Sequence, residues 1–255
     1  MSGFGPYGGF QGMRRRVRVG GGPPSLPNIP GLTFFDFSDK STITLGTPPD
    51  VDSVAAVSGT TAPTLNGGTT EPHNVAAGIE FAASVTDSLV SAASAATFRP
   101  WNETAGSVWV VTSNDANSAT LFDNCRINLF NVGTFMEITG AGLLNAGVTD
   151  GAGGYVFNVF SGGIGTSASP RLFEMHWDSS AASLLVDGVE VDTATGPFTM
   201  AASDPADMLH IGLRSNGVTN PLDGTAESLA YLVGTTASAG GKTAMRTYLT
   251  TKYGL

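Results

Sequence analysis

From Leu32 onward, apolar and polar residues alternate in short runs. Turn-forming residues interrupt these runs every ~8–12 positions, the rhythm of short antiparallel strands. The pattern predicts strands over residues 32–37, 41–45, 78–83, 107–112, 118–122, 125–130, 133–138, 153–160, 171–178, 208–213 and 228–233. Residues 46–74, rich in Pro and Gly, read as loops. The clearest element is Ser183-Leu-Leu-Val-Asp-Gly-Val-Glu-Val-Asp192, a hairpin whose Asp187-Gly188 dipeptide suits a two-residue type I′ turn. That turn pairs Val186 with Val189 and Leu184 with Val191 on one face, with Leu185 and Glu190 on the other. Near the end, Ala244, Met245, Tyr248 and Leu249 share one face of a 3.6-residue period and predict a short helix near 240–252. Gly254 takes its C′ position and Lys252 its last turn. The expected fold class is all-β, an antiparallel two-sheet jelly-roll sandwich with a short C-terminal helix. Its expected core includes Phe157, Val186, Val189, Leu209, Leu229 and Tyr248.

Composition agrees. Of 255 residues, 41% are hydrophobic, enough for a core, and only 13% are charged, half the usual share. Cys125 is the single cysteine, so no internal disulfide forms, which points to assembly in the cytosol. No apolar run is long enough to span a bilayer, and no secretory signal is expected.

Charge divides the chain. Residues 1–22 carry four arginines and no acid, while the rest carries 8 basic and 21 acidic residues, or −13. An acidic body argues against nucleic acid as a partner. Residues 1–31 read as an extended Gly/Pro/Arg-rich N-terminal arm, and residues 32–255 as the jelly-roll domain. The arm cannot bury enough apolar surface to fold alone. Its Phe4, Tyr7 and Phe10 recur every third residue, and Arg14, Arg15, Arg16 and Arg18 follow. Aromatics suited to pockets beside cations suited to an acidic surface make this a partner-binding segment.

Glycoside hydrolysis needs two carboxylates flanking the scissile bond. The nearest arrangement is Glu174-Met-His-Trp-Asp178, where Glu174, His176 and Asp178 share one strand face, Met175 and Trp177 take the other, and a second Glu is missing. No nucleophile elbow, zinc-binding helix or phosphate loop is present, and His73, His176 and His210 are scattered. The chain is therefore expected not to be an enzyme. No cofactor is expected; calcium is the one alternative, with Asp150, Asp204 and Asp207 as its candidate ligands. For glycan binding the candidates are Trp101, in a loop-like setting, with Arg99 and Asn102 beside it. Trp109 and Trp177 lie in apolar strands and are expected in the core.

Five segments together carry a family resemblance: Asp36-Phe-Ser-Asp-Lys-Ser-Thr-Ile-Thr-Leu45, Gly78-Ile-Glu-Phe-Ala-Ala-Ser-Val-Thr-Asp-Ser-Leu89, Leu185-Val-Asp-Gly-Val-Glu190, Gly224-Thr-Ala-Glu227 and Tyr248-Leu-Thr-Thr-Lys-Tyr-Gly-Leu255. Over residues 32–255 the chain resembles concanavalin-A-like, laminin-G-like jelly-roll domains of the kind found in bacteriophage virion proteins. It departs at Phe81-Ala-Ala, where many relatives read Phe-Asp-Gly. The resemblance implies two packed antiparallel sheets, and it is the source of the calcium alternative, since laminin-G-like domains often bind that ion. It also implies an accessory capsid or tail component, assembled in the host cytoplasm into the virion and displaying the sandwich outward. Implied partners are other virion proteins and further copies of the chain, with no membrane partner. The alternative it implies is a carbohydrate-binding adhesin, of tail-fibre or head-fibre type, for a host-surface glycan.

Overall fold

A computed structural model describes residues 24–59, 63–68, 71–82, 87–91, 104–125, 132–200, 208–213 and 220–255. The strands in chain order begin with β1 (Thr33–Asp36), β2 (Ile43–Leu45), β3 (Val51–Val54), β4 (Leu65–Gly67), β5 (His73–Asn74), β6 (Ile79–Phe81) and β7 (Leu89–Ser91). Longer strands follow: β8 (Gly106–Asn114), β9 (Ala119–Asp123), β10 (Val132–Ile138), β11 (Leu143–Asp150), β12 (Tyr155–Gly163) and β13 (Ser167–Trp177). The last are β14 (Ala181–Val186), β15 (Val189–Thr195), β16 (His210–Ile211) and β17 (Gly224–Val233), before helix α1 (Ala239–Tyr253).

These strands form two antiparallel sheets. One runs β15-β14-β13-β8-β17-β6-β5, with β1 also on β17; the other runs β12-β11-β10-β9-β16-β7-β4-β3-β2. The all-β two-sheet sandwich expected from the pattern is what the chain forms. Between the sheets lies the main core, where Phe35, Phe81, Phe122, Met136, Val148, Phe173, Met175 and Trp177 are buried. A second apolar cluster covers the outer face of the first sheet. There Phe34, Trp109, Val111, Leu172 and Leu232 meet Met245, Tyr248 and Leu249 of α1. Phe34 and Tyr248 pack edge to face with centroids 5.7 Å apart.

The helix forms for local reasons. Ser238 caps its N-terminus, accepting from the Gly241 N–H, and Gly254 closes it in the left-handed conformation at φ 71°. Lys252 binds the Asp36 carboxylate, and the Tyr253 hydroxyl donates to the same group at 3.0 Å. Of the four predicted inward residues, Ala244 is exposed and the other three are buried.

At the hairpin, Asp187 and Gly188 both have positive φ, 52° and 80°, as a type I′ turn requires. Val186 faces Val189 as expected. Leu185 faces Glu190, also as expected, and a bulge then shifts the register so that Leu184 faces Asp192 rather than Val191. Val189 is 66% exposed, against expectation, because β15 is the last strand of its sheet and its end lies beyond the core. The other five predicted core residues are buried. Residues 46–74 contain β3, β4 and β5, strands too short to show alternation. β11 also escaped the pattern, because Asn145 and Gly147 dilute its apolar run.

Candidate functional site

The second sheet presents a polar outer face. Leu144, Ala146 and Val148 of β11 point into the core, so Asn145, Gly147 and Thr149 point outward. The same alternation puts Glu137 of β10, Thr120 of β9, and Asn158 and Phe160 of β12 outward. Register then aligns a row across four strands, because Glu137 faces both Thr120 and Asn145, and Asn145 faces Phe160. In the adjoining row Phe135 faces Gly147, which faces Asn158. Tyr155 stands further along β12, its ring 6.0 Å from that of Phe135.

This face is built for hydrogen bonding. Asn145 Nδ2 donates to Glu137 Oε1 at 3.3 Å, and Asn220 Nδ2 donates to Glu137 Oε2 at 3.0 Å. Ser118 Oγ donates in turn to Asn220 Oδ1 at 2.9 Å. Three buried oxygens on the face have no partner: Thr120 Oγ1, Asn145 Oδ1 and Asn158 Oδ1. Each such atom costs ~1–3 kcal/mol when left unpaired. Accessibility rises toward the β12 edge, where Tyr155 is 40% and Phe160 44% exposed. An exposed ring beside amide groups can stack on the apolar face of a polyhydroxylated molecule while the amides bond its hydroxyls.

The first sheet behaves differently. Glu174 and His176 share the outer face of β13, with Met175 and Trp177 in the core, as the alternation predicted. Glu174 is fully buried and takes two bonds from Arg246, at 2.6 and 3.0 Å, and one contact with His176 Nε2 at 3.3 Å. Burial pushes the Glu174 carboxyl up, but the bonds from His176 and Arg246 outweigh it and hold the group below its ordinary range. Burial lowers the His176 imidazole and keeps it neutral. Beside this network lies a depression of about 400 Å³ lined by His176, Ser183, Glu190, Thr193 and Lys242. Asp178 is occupied in a turn, accepting from Ser180 and Ala181. Glu174 is thus bound within the chain, by Arg246 and His176.

The remaining sequence candidates divide by position. Phe4, Tyr7, Phe10, Arg14, Arg15, Arg16 and Arg18 lie outside the described residues, as do Arg99, Trp101, Asn102, Asp204 and Asp207. Trp109 and Trp177 are core residues. Asp150 is spent on its own turn, accepting from the Ala152 and Gly154 N–H groups at 2.7 and 2.9 Å. Those bonds hold its carboxyl below the ordinary range. Among the described residues, no group of three or more acidic, His or Cys side chains is placed to hold a metal ion. Sequence reasoning missed the row on the second sheet. Its one visible signal was the Tyr155-Val-Phe-Asn-Val-Phe160 run, where an aromatic stands at each end of an alternating strand.

Fold and site together define a two-sheet β-sandwich with one face sealed by a helix and one polar face left open at its edge. No family model matches the chain, and no curated protein matches it in sequence. Among solved structures it is similar to the Trypanosoma rangeli sialidase in complex with sialic acid, at 14% identity and a TM-score of 0.58. That match covers 89% of this chain and 35% of the sialidase. Part of the chain, 54%, is similar to 80% of the Ruminococcus gnavus IT-sialidase CBM40 bound to α2,3-sialyllactose, at 15% identity and a TM-score of 0.45. At these identities the likeness is one of fold.

Proposed function

We propose that the chain is a non-catalytic glycan-binding β-sandwich whose site is the β12 side of the second sheet. The observation that carries this reading is the cross-strand row Glu137–Asn145–Phe160, where an exposed ring adjoins an amide oxygen without a partner. Phe160 and Tyr155 stack on sugar rings, and Asn145 and Asn158 bond their hydroxyls. Support of a coarser kind comes from the sialic acid held by a protein that contains this fold. A glycan array probed with the full chain and with F160A and N145A tests the reading. Loss of array signal in both variants, with unchanged unfolding midpoints, is the expected result. A signal that survives both and disappears with W101A would move the site to Trp101.

A second reading concerns where the sandwich is displayed. The laminin-G-like resemblance and the charge division between residues 1–22 and the acidic remainder favour a virion component mounted through its arm. In this reading Phe4, Tyr7, Phe10 and the four arginines dock on capsid or tail subunits. Deleting residues 1–22 then leaves a soluble, folded sandwich that no longer joins the particle. Full occupancy by the deletion variant would refute it.

A further inference from the structure

The outer face of the first sheet is covered only in part. Met175 and Trp177 of β13, Ala182 and Leu184 of β14 and Ala194 of β15 turn toward the core. His176, Ser183 and Thr193 therefore turn outward. Register puts these three in one row, because His176 faces Ser183 and Ser183 faces Thr193. On its other side His176 faces Ser107 of β8, whose hydroxyl accepts from the Ala237 N–H at 3.1 Å. Burial falls along the row: Ser107 and His176 are buried, Ser183 is half-buried and Thr193 is exposed. The depression of about 400 Å³ lies at the open end of this row, lined as well by Lys242 of α1, Glu190 of β15 and Asp178.

Two groups set the chemistry of this depression. Glu174 holds its charge and can only accept, so the hydrogen of His176 sits on Nε2, 3.3 Å from Glu174 Oε2. His176 Nδ1 is then a bare acceptor, buried and without a partner. The Trp109 ring, 5.2 Å away, does not supply it, since Trp109 Nε1 is also without a partner. Lys242 is half-buried, and burial lowers its ammonium. It feels the Asp178 and Glu174 carboxylates, yet among the described residues no side chain bonds it.

An occupant must answer both groups. Lys242 only donates and His176 Nδ1 only accepts, and a hydroxyl does the reverse of each at once. Ser183 and Thr193 bond a further hydroxyl in either sense, and Glu190 accepts from another. Charge narrows the choice. Asp178 and Glu190 oppose an anion, and Lys242 opposes a cation. The volume lies at the low end of the ~300–1,000 Å³ of ligand sites, which suits one sugar ring rather than a long chain.

We propose that this depression is a second carbohydrate site, taking a single uncharged sugar ring through hydroxyls held by Lys242 and His176. It lies on the sheet opposite the β12 face and uses none of that face's residues. The test follows the ¹⁵N signals of the His176 imidazole in the full chain during titration with glucose, galactose and mannose. Glucuronate and glucosamine serve as charged counterparts. The chain holds three histidines, so H73N and H210N assign the signal. At least one neutral sugar is expected to move the Nδ1 signal, and the charged counterparts to bind more weakly. K242M should weaken that binding about tenfold or more, the scale of one hydrogen bond to a charged group, with an unchanged unfolding midpoint. F160A/N145A should leave it intact. A signal that no neutral sugar moves would overturn the inference, as would a preference for a charged counterpart or binding indifferent to K242M. Binding lost in F160A/N145A but retained in K242M belongs to the β12 face; it would leave that reading standing and remove this one.

Discussion

The two sheets share a core but differ on their outer faces. On the first, Trp109, Val111, Leu172 and Leu232 are covered by α1, and the carboxylate buried there is bound by Arg246 and His176. On the second, Thr120, Asn145 and Asn158 keep oxygens that nothing in the chain satisfies, and two aromatic rings remain exposed. A sheet in a sandwich needs only one buried face. The helix makes the first sheet a three-layer structure with an ion-paired buried carboxylate, although Trp109 Nε1, His176 Nδ1 and Glu227 Oε2 there also lack partners. The second sheet differs in the aromatic rings it leaves exposed at its β12 edge, Tyr155 and Phe160.

The comparison can be broken at several points. The largest expected effect is at Arg246. Its replacement by Ala strips Glu174 of its main cation, and breaking a buried ion pair in this way costs ~3–5 kcal/mol. Urea unfolding at pH 7 measures it. Because the folded Glu174 carboxyl titrates below its ordinary range, its contribution is present above that range and lost as pH falls through the folded value. The penalty should therefore shrink in acid.

A second test sits on β17, where Glu227 is buried, has an oxygen without a partner, and is pushed by burial from 4.5 to about 8. The folded state holds this proton while the unfolded state releases it, so stability is lost as pH rises from 4.5 toward 8. Glu227→Gln should raise the melting temperature at pH 8, by roughly 2–4 °C for each kcal/mol recovered, and have little effect at pH 4. An unchanged melting temperature at pH 8 would show that the carboxyl finds a partner in solution.

Gly188→Val should cost more than ~1 kcal/mol, because a β-branched residue resists φ of 80°. Its Cβ would also stand 2.9 Å from Arg246 Cδ. The smallest effect is expected at Thr120→Val. Removing a hydroxyl that has no partner should leave thermal stability unchanged or raise it by up to ~1 kcal/mol. A clear loss would mean that the Thr120 hydroxyl finds a partner in solution.

Much of this was legible in the sequence where local chemistry decides structure. Asp187-Gly188 announced its turn, Ser107–Thr112 its strand, and Gly254 the end of the helix. What stayed hidden depends on neighbours distant along the chain. Arg246 meets Glu174 across 72 residues, and no spacing rule connects them. Thr120, Glu137 and Asn145 look like ordinary polar positions until register aligns them. Val189 is exposed because β15 is the last strand of its sheet, and a bulge between Leu184 and Leu185 displaces Val191; the hairpin sequence reveals neither.

The placement of β1 has a consequence for biosynthesis. Its partners are Tyr231, Ala230, Leu229 and Ser228 of β17, and Asp36 waits for Lys252 and Tyr253. A ribosome adding ~5–20 residues per second would expose Phe34 and Phe35 for about 10–40 s before β17 emerges. Throughout that interval the nascent chain carries an adhesive segment and a carboxylate whose bonds to Lys252 and Tyr253 form only once the last residues are made. Premature termination anywhere upstream of β17 would leave that segment uncovered for good, making the interrupted product a natural client for chaperones and proteases.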